Sequence, residues 1–268
     1  MPAPPHTQEE LRLAAFGVLR LRADNPGPLT LSGTNTWLVG RDPTWVVDPG
    51  PARPAHADAL WRTVLALGGL GAILLTHDHA DHSEGVQALR ERFGAPVAAA
   101  RGPADLQLAD GAVVGPLQAL ALPGHAPDHM ALLAGPVCFS GDAVLGEGSV
   151  FIAADQGALA GYLNGLRRLR ERDLRVICPG HGPPVWDPFA KLDGYVSHRL
   201  ERERGLLAAL ARGLRSVDDL LDAAWADVPA ELRPAATVTL AAHLDKLGDE
   251  GRLPADVQRP RPPSRRPL

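Results

Sequence analysis

The sequence predicts an α/β protein in which helices cover the faces of β-sheets. Short apolar runs rich in β-forming residues alternate with longer segments whose apolar residues recur at helical spacing. Histidine and aspartate residues directly follow several of the apolar runs. With 268 residues, 45% of them apolar, the chain is long enough to bury a sizeable core without disulfide bonds.

Strands and helices are predicted to alternate in the first part of the chain. A loose, proline-rich leader is expected over residues 1–10. The residues Gly40-Arg-Asp-Pro43 separate two β-rich runs, which predicts a turn between two strands. A proline near the start and the pair Gly68-Gly69 after the end delimit the first long helix. The predicted strands cover residues 15–22, 34–39, 45–47 and 72–75, and the predicted helices cover 54–67 and 84–93.

Several short strands are predicted in the middle of the chain, and its last third is predicted to be helical. An unbroken helical pattern predicts one long helix over 188–212, rich in arginine and glutamate. From Arg259 the chain is rich in proline and arginine, a composition that predicts disorder. The remaining predicted strands cover 97–99, 112–114, 117–122, 130–133, 137–139 and 175–178, and the remaining helices cover 159–172, 216–224 and 230–250.

Composition excludes several classes of protein. No run of 18 apolar residues exists, so we expect no membrane-spanning segment. The first residues lack the pattern of a secretory signal, and we expect a cytoplasmic protein. The net charge of −4 gives no basic footprint over the whole chain. The two cysteines, Cys138 and Cys178, lie in apolar runs and are expected to be buried as small apolar side chains.

Seven histidine and aspartate residues in four short motifs predict a metal site. Imidazole and carboxylate are the ligands that Zn²⁺ and related first-row metals prefer. Uncompensated clusters of such groups are costly to bury without an ion. The seven candidate ligands are His77, His79, Asp81 and His82 in Thr-His-Asp-His-Ala-Asp-His, His125 in Pro-Gly-His, Asp142 in Ser-Gly-Asp, and His181 in Pro-Gly-His-Gly.

This ordered motif set resembles that of the metallo-β-lactamase superfamily. The resemblance implies a four-layer αβ/βα sandwich over roughly residues 10–190. It also implies two divalent metal ions. Zn²⁺ is the expected metal, and Mn²⁺ or Fe are the alternatives. By the same resemblance, His77, His79 and His125 hold the first ion, Asp81, His82 and His181 hold the second, and Asp142 bridges both.

Four further segments resemble the β-lactamase-like protein 2 branch of this superfamily: 32–40, 124–130, 139–146 and 195–199. Members of that branch carry a small winged-helix domain after the sandwich, and the mitochondrial member is an endoribonuclease that prefers single-stranded RNA. The resemblance implies a hydrolase domain over 1–195, a helical, winged-helix-like domain over 196–256, and a disordered tail over 257–268. Residues 216–250 lack the excess of basic residues that is typical of nucleic-acid-binding domains. They contain eight acidic residues, and their only Lys or Arg residues are Arg233 and Lys246.

Two aspartates are the candidate catalytic residues. Two ions that share Asp142 would also share a water, and each ion lowers the pKa of that water, so that a bridging hydroxide is available near neutral pH. The leaving group takes its proton from water or from Asp81. Asp48 and His129 are candidates to orient the metal ligands by hydrogen bonds. The alternatives for them are strand termination at Asp48 and a packed polar side chain at His129.

Other residues are expected to be structural or exposed. His198 is expected to be structural, and His6, His56 and His243 are expected at the surface. The arginine-rich stretch after position 198 is either a solvated helix face or a rim that contacts phosphate.

Three functions follow from these observations. The first is hydrolysis of single-stranded RNA or another phosphodiester. Its phosphate contacts would come from Arg199, Arg202, Arg204, Arg212 and Arg215. The second is hydrolysis of a small-molecule thioester, ester or lactone, because the hydroxyacylglutathione hydrolases share the same ligand pattern. The third is a binding module with structural metals, which the seven-ligand set disfavours because a structural site needs only four ligands.

Overall fold

The computed structural model describes residues 7–260. In that range the predicted alternation of strands and helices folds into two sheets with helices on their outer faces. No helix among the described residues is long and apolar enough to cross a membrane.

The first sheet has six strands in sequence order, β1 to β6. The first three pair antiparallel, and from the third onward each pairs in parallel with the next. The last strand is a short edge segment that the sequence pattern did not predict. The strands are β1 (Val18–Arg22), β2 (Asn35–Val39), β3 (Thr44–Val47), β4 (Leu70–Leu74), β5 (Val97–Ala99) and β6 (Leu106–Gln107).

The second sheet has five strands in the order β11-β10-β9-β8-β7. Its strands pair antiparallel except β10 and β11, which are parallel. The strands are β7 (Val113–Val114), β8 (Leu117–Ala121), β9 (Met130–Ala134), β10 (Val137–Gly141) and β11 (Val176–Pro179).

Three apolar layers hold the sandwich together. Alternate residues of the two sheets face each other, as Trp37 and Phe139 do, and form the central layer. The opposite face of the first sheet packs on α2 and α4, and the opposite face of the second packs on α5 and the start of α6. The helices are α1 (Gln8–Ala14), α2 (Pro54–Ala66), α3 (Ala80–Ser83), α4 (Val86–Phe93), α5 (Ala158–Arg170), α6 (Pro188–Ala211), α7 (Val217–Ala224) and α8 (Arg233–Asp249).

The C-terminal helices have an apolar cluster of their own, formed by the end of α6 with α7 and α8. The helix α6 is continuous across position 195, where the sequence suggested a domain boundary. Its first half carries Leu192 and Tyr195 into the sandwich core, and its second half carries Leu206 and Leu210 into the C-terminal cluster. Because α8 also packs on α5, the C-terminal helices are seated directly against the sandwich.

Both ends of the described chain differ from the expectation of loose segments. The predicted leader contains α1, which begins with a capping box between Thr7 and Glu10. In the predicted tail, residues 257–260 lie against the C-terminal helices because Val257 joins their apolar cluster and the Gln258 amide donates to Arg215 O. Residues 1–6 and 261–268, including His6, lie outside the described residues.

Candidate metal centre

The C-terminal ends of five strands deliver the predicted site residues to one edge of the sandwich. Strand β4 leads directly into His77, and the short helix α3 turns the chain so that His82 points back inward and is fully buried. The other residues follow strands in the same way: Asp48 follows β3, His125 follows β8, Asp142 follows β10 and His181 follows β11. The edge that the motif pattern predicted is therefore formed by both sheets.

Three histidines form one half of the cluster. His77 Nε2 and His125 Nε2 each lie 3.0 Å from His79 Nδ1. These three ring nitrogens are close enough to ligate a single ion.

Asp81, His82 and His181 form the other half. Asp81 Oδ2 lies 3.3 Å from His181 Nε2 and 3.5 Å from His82 Nε2. A threonine that the sequence analysis did not single out, Thr34, donates a hydrogen bond of 3.0 Å to the same carboxylate oxygen.

The carboxylate of Asp142 lies between the two halves. Its oxygens are 3.4 Å from His82 Nε2, 3.3 Å from His181 Nε2 and 3.6 Å from His125 Nε2. His82 Nε2 and Asp142 Oδ1 are buried without a hydrogen-bond partner. Buried polar atoms are normally satisfied, so these orphaned atoms and the donor set around them fit bound metal ions.

Asp48 supports both halves from behind. Its Oδ2 accepts hydrogen bonds from His82 Nδ1 at 2.9 Å and from Thr76 Oγ1 at 2.7 Å. Because the Thr76 hydroxyl proton is used in this way, the 3.0 Å contact between Thr76 Oγ1 and His77 Nδ1 requires the ring of His77 to donate. The rings of His77 and His82 therefore each carry a proton on Nδ1, which leaves Nε2, the nitrogen that faces the cluster, as the atom that can bind an ion.

His129 contacts the cluster through the backbone. Its Nε2 accepts a hydrogen bond of 3.2 Å from the amide of Asp142, and its ring stacks on His77 with centroids 5.0 Å apart. It thus lies behind the candidate ligands, as Asp48 does.

The electrostatics of the cluster reflect strong pairing of opposite charges. Burial raises the pKa of Asp81, but the hydrogen bond from His181 and the nearby His82 lower it to about 2. Burial lowers the pKa of His181, but Asp142 and Asp81 raise it to about 9. Burial dominates at His125 and lowers its pKa to about 4.

A cavity of about 860 Å³ opens on five of the candidate ligands, His79, Asp81, His125, Asp142 and His181. Its other walls include the loops around 28–31, 51–53 and 145–151, three residues of α6 between 198 and 202, and the C-terminal residues 225–239. Most of these wall side chains are apolar, including Leu29, Leu31, Val150, Phe151, Trp225 and Leu232. A larger depression of about 1170 Å³ near Arg12 and Trp186 contains none of the predicted site residues.

Phe151 is a wall residue that the sequence analysis missed. Its ring packs edge-on against His125 with centroids 4.4 Å apart. It lies in an irregular loop with no periodicity to indicate which way a side chain points. The sequence analysis also missed the roles of Thr34 and Thr76. Both residues could have been named as candidates, because Thr34 lies in a segment that resembles the family and Thr76 directly precedes His77.

Of the five arginines proposed to contact RNA, three are paired with carboxylates and a fourth is buried. The buried one is Arg199, with only 2% of its surface exposed. Of the five, only Arg212 forms no side-chain hydrogen bond or ion pair with the described residues. Three pair with carboxylates: Arg202 with Asp227 at 2.6 Å, Arg204 with Glu201 at 3.8 Å, and Arg215 with Asp256 at 2.9 Å. The basic surface available to a polyanion is therefore smaller than the sequence suggested.

Two histidines expected at the surface are buried. His56 is 3.0 Å from Thr36 Oγ1 and closes the turn after β3. His243 packs edge-on against Trp225, and burial followed by nearby cations lowers its pKa to about 3. His56 lies on the same buried face of α2 as Leu60 and Val64, so amphipathic patterning could have placed it inside. His243 lies in α8, which is covered on more than one side, and the pattern gave no such indication for it.

A four-layer sandwich with a histidine and aspartate cluster at the ends of its strands defines a class of metal-dependent hydrolases. The chain belongs to this class, the metallo-beta-lactamase superfamily, whose model matches residues 29–112. A second model, the beta-lactamase associated winged helix domain, matches residues 216–256. Membership makes the protein a hydrolase rather than a binding module with structural metals.

Within the superfamily the chain is similar to the beta-lactamase-like protein 2 group. It is 30% identical to the beta-lactamase-like protein 2 homolog of Caenorhabditis elegans over 94% of this chain and 90% of the relative. It is 33% identical to an atrochrysone carboxyl ACP thioesterase of Aspergillus chevalieri, over 80% and 75% of the two chains. A metallo-beta-lactamase family protein of Thermus thermophilus superposes with a TM-score of 0.66 at 26% identity, over 88% and 94%.

Proposed function

We propose that this protein hydrolyses thioesters that carry an apolar acyl group. The observation that carries the proposal is the largely apolar cavity of about 860 Å³ that opens on the histidine and aspartate cluster. Apolar walls around a few polar groups are typical of sites for small molecules. A relative that shares most of the chain's length is itself named a thioesterase.

We assign the candidate ligands to two ions. His77, His79 and His125 would hold one ion, Asp81, His82 and His181 would hold the other, and Asp142 would contact both. Divalent ions bound there would supply a water nucleophile near neutral pH and polarise the scissile carbonyl. Nitrogen and carboxylate donors suit Zn²⁺ and also accept Mn²⁺ or Fe.

The chain's own residues position the ligands and exclude water. Asp48 and Thr76 fix the rings of His77 and His82, and His129 fixes the backbone of Asp142. Phe151 covers one side of His125. A thiol has a pKa of about 8.5, so a thiolate can leave without a strong acid nearby. Asp81 is then needed to hold an ion rather than to donate a proton.

Cleavage of RNA is the less favoured hypothesis. Three of the arginines that would meet its phosphates are paired with carboxylates, and residues 216–250 are acidic. Among residues 7–260 no strand follows β11, so the C-terminal helices present no β-wing to a nucleic acid. Their inner face lines the cavity instead.

A substrate panel tests the proposal. Protein loaded with Zn²⁺ or Mn²⁺ is assayed with an aromatic acyl thioester, a lactone, a chromogenic phosphodiester and a short single-stranded RNA. We expect the highest kcat/KM with the thioester, and its loss in Asp142→Ala with the circular dichroism spectrum retained. Cleavage of the RNA without release of thiol would overturn the proposal in favour of the nuclease, and a lactone preference would keep the site but change the substrate.

A further inference from the structure

Arg199 is a buried cation in the wall of the cavity and has no anionic partner. It projects from α6, is 2% exposed, and lines the same cavity as the candidate metal ligands. Its Nη2 donates to Ser149 Oγ at 3.2 Å and to the carbonyl of Val150. Its guanidinium lies 5.7 Å from the centre of the Tyr162 ring. Among the described residues, no carboxylate forms an ion pair with it, and its Nε has no hydrogen-bond partner.

The surroundings of Arg199 supply no compensating charge. A guanidinium stays protonated in proteins, so its burial is costly unless an anion accompanies it. Tyr195 and Tyr162 are neutral, because burial raises the pKa of Tyr195 to about 12 and that of Tyr162 still further. His198 accepts a hydrogen bond from Arg202 Nε at 3.0 Å and is neutral as well, because burial and the neighbouring arginines lower its pKa to about 4.

Arg202, one turn along the same helix, shows the contrast. It also lines the cavity, but its guanidinium makes two hydrogen bonds to the carboxylate of Asp227, at 2.6 and 2.8 Å. The chain therefore provides a counterion for the more exposed arginine and none for the buried one.

We propose that Arg199 binds an oxyanion carried by the substrate, so that the preferred thioesters bear, in addition to an apolar acyl chain, either a carboxylate at the end of that chain or a phosphate on the thiol. This inference rests on the proposed thioesterase function. A planar guanidinium suits both groups, because it offers parallel donors to two oxygens of a carboxylate or a phosphate. A bound oxyanion would supply the missing counterion within the cavity that holds the scissile bond.

A purely structural role for Arg199 makes a different prediction. The contacts with Ser149 and Val150 tie α6 to the loop that carries Phe151, so loss of Arg199 could displace this loop. Such a displacement would lower turnover of every substrate by a similar factor. An oxyanion site instead changes the ratio between anionic and neutral substrates, mainly through KM.

The experiment compares three thioesters in the full-length, metal-loaded protein. Butyryl-N-acetylcysteamine is neutral, succinyl-N-acetylcysteamine adds an acyl carboxylate, and butyryl-phosphopantetheine adds a phosphate on the thiol side. We expect kcat/KM to be roughly tenfold or more higher for one of the two anionic substrates, as for a charge-assisted hydrogen bond. Whichever is preferred identifies the source of the oxyanion.

Variants separate the two roles of Arg199. In Arg199→Met the ratio of kcat/KM between the preferred anionic thioester and the neutral one should fall to near unity. In Arg199→Lys, which keeps the positive charge but loses the two parallel N–H donors, this ratio should fall only in part. The control is Arg204→Met on the same helix, where the side chain is 69% exposed and the preference should persist. If Arg199→Met does not fold, the same ratio measured in Arg199→Lys and in the wild type still tests the inference.

Two results would overturn the inference: a wild type without preference for either anionic thioester, or variants that lower all three rates equally. Failure of the wild type to hydrolyse any thioester would instead reject the proposed function.

Discussion

At Gly180 the backbone passes so close to the candidate metal ligands that a side chain has no room. A Cβ atom there would lie 2.6 Å from His82 Cε1 and closer still to Asp142 Oδ1. Real Cβ atoms essentially never approach other atoms this closely, so either the backbone or the two ligands must move. The glycine before His181 is thus explained by this contact.

We predict that Gly180→Ala binds metal at least about tenfold more weakly than the wild type, since changes around metal ligands typically cost this much. Metal content after dialysis and competition with a chelator measure the effect. The control is Gly194→Ala in α6, where nothing lies within 4 Å of the added atom. It should leave metal content unchanged and stabilise the protein by about 0.5–1 kcal/mol. Normal metal binding in Gly180→Ala would show that the cluster is more tolerant than its geometry indicates.

Asp48 offers a second test, because it orients one ligand of each proposed ion. Its carboxylate accepts from His82 directly and from His77 through Thr76. Asn fits the left-handed backbone of this residue, at φ 52°, but replaces one acceptor oxygen by an NH₂ donor. We predict that Asp48→Asn lowers metal affinity by about 10–100-fold. Titration calorimetry measures the metal affinity of this variant, and the control is Asp58→Asn at an exposed position of α2. Equal affinities would mean that the rings are held by packing alone.

The seven candidate ligands were predictable from the sequence because each follows an apolar strand, and strand ends meet at a common edge. The structure brings all seven together. The supporting contacts were only partly predictable. Asp48 and His129 could be named as candidates, but that Asp48 acts through Thr76 depends on a hydroxyl direction that spacing does not encode.

At the scale of elements, helix α8 serves two surfaces at once. One part of it joins the C-terminal apolar cluster, and Ala242 reaches the core of the sandwich. Thr239 accepts a hydrogen bond of 3.0 Å from the amide of Ile152, next to the loop residue Phe151. The start of the helix, at Ala235 and Ala236, faces the cavity. An apolar pattern with a period of 3.6 residues predicts that such a helix exists, but not that other elements pack against several of its sides.

We predict that Ala235→Phe narrows the cavity and therefore penalises long substrates. The kcat/KM for an aromatic or octanoyl thioester should fall by about tenfold or more, and that for an acetyl thioester should fall less. The control, Ala223→Phe, places the same ring on an exposed position of α7 outside the cavity. Equal rates for long and short acyl groups in Ala235→Phe would show that substrate does not reach the C-terminal helices.

For the whole molecule, fold class and element order followed from the sequence, and the position of the C-terminal helices did not. Strand and helix patterns are local, so they predicted most elements with errors of a few residues at the ends, but they missed the short elements α1, α3 and β6. Packing between α8 and α5 joins residues far apart in the chain, for which a single sequence carries no periodic signal. The same limit made the arginines of α6 look free, although Arg202 meets its partner Asp227 only in the folded chain.

Charge at this scale gives a prediction about salt. Because three of the five candidate arginines are paired with carboxylates and residues 216–250 are acidic, we expect no binding of single-stranded RNA tighter than about 10⁻⁴ M at 150 mM salt. Turnover of a neutral thioester should change by less than about twofold between 50 and 200 mM salt, since no counterions are released. Fluorescence anisotropy and thiol release measure the two quantities. Tight RNA binding that weakens steeply with salt would favour the nuclease hypothesis.

The central claim, hydrolysis of a thioester at a two-metal centre, is tested most directly by titrating metal into stripped protein while thiol release is recorded. Seven ligand residues in two groups that share Asp142 predict that activity is absent without metal and rises to a plateau at two equivalents of Zn²⁺ or Mn²⁺ per chain. Full activity in metal-free protein, a plateau at one equivalent, or no thiol release at any metal content would contradict the account.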